Sequence, residues 1–299
     1  MVTKRPFGQT DMQVVPLGYG GAEIGFQSID GQVVSKALNE ALDAGLNVID
    51  TAECYGGSEE LIGDAVAHRR AEYYLFTKCG HAAGFEEPDW DPGMLAKQID
   101  RSLKRLKTDC VDLLQLHSCS KEILERGDAI EVVQRARDAG KTRYIGYSGD
   151  GEDALYAVQC GVFDALQTSI SVADQQAMEL TLPVARERRM GVIAKRPIAN
   201  AVWLKPERPV GDYAEPYWLR LQELDYAFLK GDPRRAVQMA LRFTLSVPGV
   251  SVAIVGTTRP GRWRENLSLL RPGPLTIAEY DAIRARWKLV AGPDWVGQT

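Results

Sequence analysis

A chain of 299 residues, 45% hydrophobic and 25% charged, is large enough to bury a substantial core and has no polar tract that predicts disorder. Its net charge of −4 comes from interspersed acidic and basic residues, which excludes a surface built to grip a polyphosphate backbone and with it a nucleic-acid partner. Five cysteines (Cys54, Cys79, Cys110, Cys119, Cys160) are odd in number and lack CxxC spacing, so reduced thiols and a cytoplasmic location are expected. The amino-terminal MVTKRPFGQTDMQVVPLG meets Pro6 and Gly8 before a signal-length apolar run develops, and no stretch approaches the roughly 18 apolar residues that span a bilayer. Neither export nor membrane insertion is expected.

In chain order, KRPFGQTDMQVV predicts a β-hairpin turning around Gly8 to Asp11, placed to plug one end of a barrel. Short apolar runs then alternate with stretches of 3.6-residue periodicity, the pattern of repeated βα units. Strands are expected near 14–18, 47–50, 73–78, 111–117, 142–147, 165–169, 191–194 and 252–255. Helices are expected over 32–44, 58–67, 92–106, 121–139, 153–159, 175–188, 233–246 and 260–270. Gly45, Gly140, Gly161 and Gly191 stand where left-handed helix caps are needed. Eight strands in a chain of this length predict an α/β protein, a (β/α)8 TIM barrel with an amino-terminal β-hairpin and one domain over residues 1–299. The long connection 196–231, with Trp203, Tyr213, Tyr217 and Trp218, either covers a pocket or packs as a surface excursion. The segment 276–299 borders the pocket or covers a barrel side.

Familiar nucleotide and metal motifs fail. Gly18, Gly20 and Gly21 follow the first strand, but Glu23 occupies the place of the third glycine of GxGxxG. No GxxxxGK[ST] occurs, and His68, His81 and His117, the three histidines, show no metal-ligand spacing, so no metal is expected. The informative segment is NVIDTAECYGGSEELIG: an apolar run ends on Asp50, and Tyr55 follows in a glycine-rich loop before a helix. Lys78 closes the next run and His117 the one after, so polar groups end three successive strands, on the face where βα barrels carry their active sites. Their chemistry is complementary. An ammonium at Lys78 favours phenolate at Tyr55, Asp50 balances the buried Lys78 charge, and His117 donates to a carbonyl while Tyr55 protonates the developing alkoxide. The hydride has to come from a cofactor.

These residues and the motif DTAECYGGSEELIG resemble those of the aldo-keto reductases, and the likeness runs over nearly the whole chain. The resemblance implies that Asp50, Tyr55, Lys78 and His117 form the catalytic set, with Tyr55 the acid in reduction and the base in oxidation. It implies an NADP(H)-dependent oxidoreductase reducing aldehydes or ketones, or running in reverse, with a small-molecule carbonyl or alcohol as substrate. By the same likeness, IVGTTRPGRWREN receives the adenosine phosphate end through Gly256, Thr257, Thr258, Arg262, Glu265 and Asn266. Arg262 as partner of a 2'-phosphate favours NADP over NAD. Gly20 and Gly21 either admit the nicotinamide ribose or serve the turn, and Ser148 and Gln167 match positions that hold the carboxamide. Gly149 departs from an asparagine common in the family, and Lys195 stands where many members stack an aromatic on nicotinamide. Lys195 and Arg196 either contact pyrophosphate or an anionic substrate or form a rim salt bridge. Those two departures motivate one alternative, a nicotinamide-binding regulatory or sensor barrel with little turnover.

Overall fold

Side-chain alternation along each strand explains the architecture. The computed structural model describes residues 3–298, in which eight parallel strands close into a barrel. A two-stranded antiparallel hairpin, β1 (Arg5–Pro6) and β2 (Gln13–Val14), precedes it. The barrel strands are β3 (Leu17–Gly20), β4 (Val48–Asp50), β5 (Tyr74–Cys79), β6 (Val111–His117), β7 (Thr142–Ser148), β8 (Ala165–Ser169), β9 (Gly191–Lys195) and β10 (Val252–Gly256). Consecutive barrel strands pair, and β10 closes the sheet between β9 and β3.

Inside the barrel, one layer is apolar: Val48, Phe76, Leu113, Ala165, Ile193, Val252 and Ile254 pack with Phe7, Met12 and Val14 of the hairpin. The hairpin therefore plugs the amino-terminal end, as expected. Two residues further along the same strands, on the same side by the period of 2, stand Asp50, Lys78, Gln115, Gln167 and Lys195. An apolar floor and a polar upper layer follow from strand parity alone.

Several expected boundaries move. Val14 lies in the hairpin, and the first barrel strand begins three residues later at Leu17. Gly191 is not a helix cap: Arg189 takes the left-handed conformation (φ 53°), while Gly191 opens β9 against the Phe7 ring, where a Cβ would collide. The helix expected over 121–139 is two, Lys121–Arg126 and Asp128–Asp138, because Gly127 at φ 83° ends the first. The one expected over 175–188 is likewise split into Ala177–Leu180 and Leu182–Glu187, with Pro183 in the first turn of the second. Elsewhere local chemistry sets the ends. Asp91 accepts from the Met94 amide at 2.8 Å with Pro92 opening the helix Pro92–Leu106, and Thr276 with Glu279 forms a capping box on Ile277–Val290.

Among the described residues, no helix is long and apolar enough to cross a membrane. Connection 196–231 carries the helix Glu215–Leu224 and two short 3-10 turns, and Tyr217 from it is fully buried, donating to Asp174 at 2.9 Å.

Glu59, in the helix Ser58–Val66, is fully buried and accepts from Thr77 Oγ1 at 2.7 Å. Burial pushes its carboxyl up to about 7 from an ordinary 4.5. A raised folded-state pKa makes an acid costly once the unfolded state ionises: between these values the unfolded chain releases a proton that the native chain keeps, so stability falls as pH rises. Glu59→Gln should therefore match wild type at about pH 4 and exceed it by on the order of 3 kcal/mol at about pH 8 in urea unfolding. An equal offset at both pH values would remove the buried-carboxyl account.

Candidate active site

The Tyr55 loop follows β4 and is fixed from below. Gly25, in the helix Ala22–Phe26, packs so closely on the Tyr55 carbonyl that a Cβ there would collide, and Gly56, at φ 52°, turns the chain beneath the Gly25 carbonyl. Gly21 donates its amide to the Asp50 carbonyl at 2.7 Å. Phe26 lies against the Tyr55 ring, with centroids 5.5 Å apart.

Asp50, Lys78, Tyr55 and His117 converge at the carboxyl end of the barrel. Lys78 Nζ donates to Asp50 Oδ1 at 2.6 Å and to the Thr51 carbonyl at 2.7 Å, both side chains being almost entirely buried. The same ammonium lies 5.0 Å from the centre of the Tyr55 ring. Burial alone would strip Lys78 of its charge, but Asp50 and Tyr55 hold its pKa above the ordinary value. Burial also pushes the Tyr55 phenol up, against the downward pull of Lys78. The sequence-based expectation of a lowered phenol is corrected here: desolvation outweighs the ammonium, and Tyr55 holds its proton at neutral pH. His117 meets the Tyr55 ring edge-on at 5.6 Å, and its Nδ1 lies 3.4 Å from Cys54 Sγ. Burial first, then the charge of Lys78, holds its pKa well below 6.5, so the imidazole is neutral. A neutral imidazole and an un-ionised phenol side by side are two hydrogen-bond donors for one carbonyl oxygen.

Beside this group runs a polar network. Gln115 Nε2 donates to Gln167 Oε1 at 2.9 Å, and both amides reach Asp50 at 3.4 Å. Ser148 Oγ is buried with no hydrogen-bond partner among the described residues, an orphan that suits a ligand amide. Gly149 has a structural reason: a Cβ there would come within 2.6 Å of the Tyr147 hydroxyl, which donates to the Cys119 carbonyl at 2.7 Å. Lys195 is ion-paired with buried Asp150 at 2.8 Å, which is the rim salt bridge among its expected roles and leaves its ammonium already partnered. Burial would raise Asp150, but Lys195 and donors from Ser169 and Thr168 hold it below the ordinary carboxylate range.

The carboxyl-terminal segment borders this corner, with the Gln298 carbonyl accepting from Arg196 and from Ser169 Oγ. Arg196 also lies over the ring of Tyr213, at 4.7 Å, so the connection 196–231 reaches the same rim.

Gly20 and Gly256 are paired between β3 and β10. Past β10, Thr257 and Asn266 are buried, Thr258 is half-buried, and Arg262 lies 3.4 Å from Glu265 at the start of the helix Arg262–Ser268. Arg259, which the sequence reading did not single out, is paired with Glu265 as well. Asp150, Gln115 and Cys54, which pair with or lie beside the predicted residues, were also missed, as was the approach of the His81 ring to within 5.3 Å of His117. Gln115 was accessible by parity, two residues before His117, and Asp150 stands next to the flagged Gly149.

Comparison with known proteins agrees with this geometry. The Aldo/keto reductase family model matches residues 16–288. L-Galactose dehydrogenase of Arabidopsis thaliana is 29% identical, covering 98% of each chain. NADH-specific methylglyoxal reductase of Escherichia coli is 24% identical, covering 95% of this chain and 97% of its own. In fold, an aldo-keto reductase from Bacillus halodurans in its holo form superposes with a TM-score of 0.83 at 24% identity, over 98% of this chain and 99% of that one. With an eight-stranded barrel, these strand-end side chains and a family match over most of its length, the chain belongs to the aldo/keto reductase family.

Proposed function

We propose that this protein reduces aldehydes or ketones to alcohols, or runs the reverse reaction, with NADP(H), Tyr55 serving as general acid in reduction and general base in oxidation. One observation carries the reading: the Tyr55 ring has Lys78 Nζ, itself paired to Asp50, 5.0 Å from its centre and the His117 ring 5.6 Å away, where burial favours the neutral phenol and the neutral imidazole. When bound, the nicotinamide supplies the hydride. His117 positions the carbonyl oxygen by donating to it, and Tyr55 delivers a proton to that oxygen as negative charge develops. Lys78 stabilises the phenolate left behind, and Asp50 keeps Lys78 charged and in place.

The cofactor reading rests on the fit of the residues present. Ser148 offers a buried hydroxyl with no partner among the described residues, and Gln167 an amide, to the carboxamide, with Gly20 beside them; Gly21 serves the turn, since a Cβ there would meet Ser58 Oγ at 2.7 Å, and Gly256 packs against Gly20 and Glu23. Lys195, partnered by Asp150, shapes the neighbouring wall. Gly256, Thr257, Thr258, Glu265 and Asn266 frame the adenosine end. Arg262, about half exposed and held only at 3.4 Å by Glu265, is free to turn to a 2'-phosphate. A methylglyoxal reductase among the relatives is named NADH-specific, so cofactor choice is tested directly.

The experiment follows NADPH and NADH oxidation over a panel of aldehydes and ketones, with dissociation constants for both cofactors in wild type and Arg262→Ala. We expect turnover, and an Arg262→Ala loss of about tenfold in NADPH affinity with NADH affinity unchanged within about twofold. No oxidation of either cofactor with any carbonyl would overturn the functional reading. Equal losses for both cofactors would overturn the role of Arg262.

A further inference from the structure

The connection between β5 and the helix Pro92–Leu106 holds a second histidine beside the first. The His81 ring lies 5.3 Å from the His117 ring and 5.7 Å from that of Trp90, extending the row that begins at Tyr55. Its Nδ1 is 3.0 Å from Asp89 Oδ2, and the other oxygen of Asp89 accepts from the Ala82 amide at 2.6 Å. In the neutral imidazole, a carboxylate on Nδ1 selects the tautomer that carries the proton there, which leaves Nε2 as an acceptor. Nε2 makes no hydrogen bond to any described residue, and the side chain is 38% exposed.

The loop around this pair is held in an unusual shape. Ala83 and Trp90 both occupy the left-handed region, at φ 45° and 69°, where non-glycine residues are rare. The Trp90 amide donates to the Gly80 carbonyl at 3.0 Å, the Gly80 amide donates to Gln98 at 3.0 Å, and Arg101 donates to the Ala83 carbonyl at 2.9 Å. Two strained residues and these anchors fix the imidazole beside His117. A surface ion pair alone would need none of them.

We propose that His81, oriented by Asp89, is a specificity-determining residue that accepts a hydrogen bond from a hydroxyl on the carbon next to the substrate carbonyl. The protein thereby selects 2-hydroxy carbonyl compounds. The inference rests on the carbonyl-reductase reading above. With His117 donating to the carbonyl oxygen, the adjacent imidazole meets the neighbouring substituent. An acceptor nitrogen rewards a hydroxyl, which can donate, over a hydrogen or a methoxy group, which cannot. Asp89 is a positioning residue, acting only through the ring of His81.

The test compares hydroxyacetone, methoxyacetone and butanone as substrates. Wild type should favour hydroxyacetone over the other two by about tenfold or more in kcat/KM. His81→Phe should remove that preference, mainly by raising KM for hydroxyacetone, and leave butanone within about twofold. Asp89→Ala should act in the same direction, and Asp89→Asn, whose one carbonyl oxygen cannot serve both Nδ1–H and the Ala82 amide, should fall between Asp89→Ala and wild type.

A second readout does not depend on turnover. With only three histidines in the chain, each ring resonance can be assigned by single His→Gln variants. In the NADP-bound protein, propane-1,2-diol should shift the His81 resonance and butan-2-ol should not. Parallel loss of rate for all three ketones in His81→Phe, or no diol-dependent shift in an active enzyme, would overturn the subsite. A diol-dependent His81 shift in a protein that oxidises no cofactor would overturn the reductase reading and leave the subsite standing.

Discussion

Tyr55→Phe is expected to lower kcat for carbonyl reduction by about 10²–10⁴-fold while leaving cofactor affinity within about twofold. The phenol is the only group in the strand-end cluster that combines a transferable proton at neutral pH with a cation beside it to receive the charge. Burial raises its pKa, and Lys78, 5.0 Å from the ring centre, opposes that rise most as the proton leaves. Phenylalanine keeps the ring contacts with Phe26 and His117 and removes the proton. Because burial and Lys78 keep His117 neutral, the rate should show no ionisation near pH 6.5 from this residue. Steady-state rates with a cofactor-binding titration decide the matter; equal rates in both proteins would remove Tyr55 from the chemistry.

The second large effect is on stability. Asp50→Ala would leave the Lys78 ammonium, whose side chain is 0% exposed, with only the Thr51 carbonyl and the Tyr55 ring for company. A buried charge stripped of its counter-ion typically costs about 3–5 kcal/mol, and the amides of Gln115 and Gln167 would lose their shared acceptor as well. Replacing both partners, as in Asp50→Leu with Lys78→Met, removes the orphaned charge and should recover most of that loss without recovering turnover. Urea unfolding of the two variants beside wild type checks this. A double variant as unstable as Asp50→Ala would mean that packing, not charge, sets the cost.

The barrel was legible because its signals are periodic. Strand alternation, helix caps and the strand-ending positions of Asp50, Lys78 and His117 are local in the chain, and parity carries them to one face. The same rule would have found Gln115. Other features depend on contacts between distant segments. The reason for Gly149 is a tyrosine two residues earlier whose hydroxyl is aimed back by the Cys119 carbonyl, and the reason for Gly191 is the ring of Phe7 from the hairpin. Lys195 offered several roles in sequence, and only the fold brings Asp150 to it. The breaks at Gly127 and at Leu182–Pro183 carried local signals, but continuous amphipathic periodicity masked them. The direction of the Tyr55 shift could not be read, because desolvation and the Lys78 charge act in opposite senses and only burial decides between them.

The most direct measurement uses NADPH deuterated at the transferable position of the nicotinamide, a carbonyl substrate and mass analysis of the product. The account predicts one deuterium on the former carbonyl carbon for each cofactor oxidised, with label transfer slowed in Tyr55→Phe in step with its rate. Bound cofactor that stays reduced, or alcohol formed without the label, would contradict it.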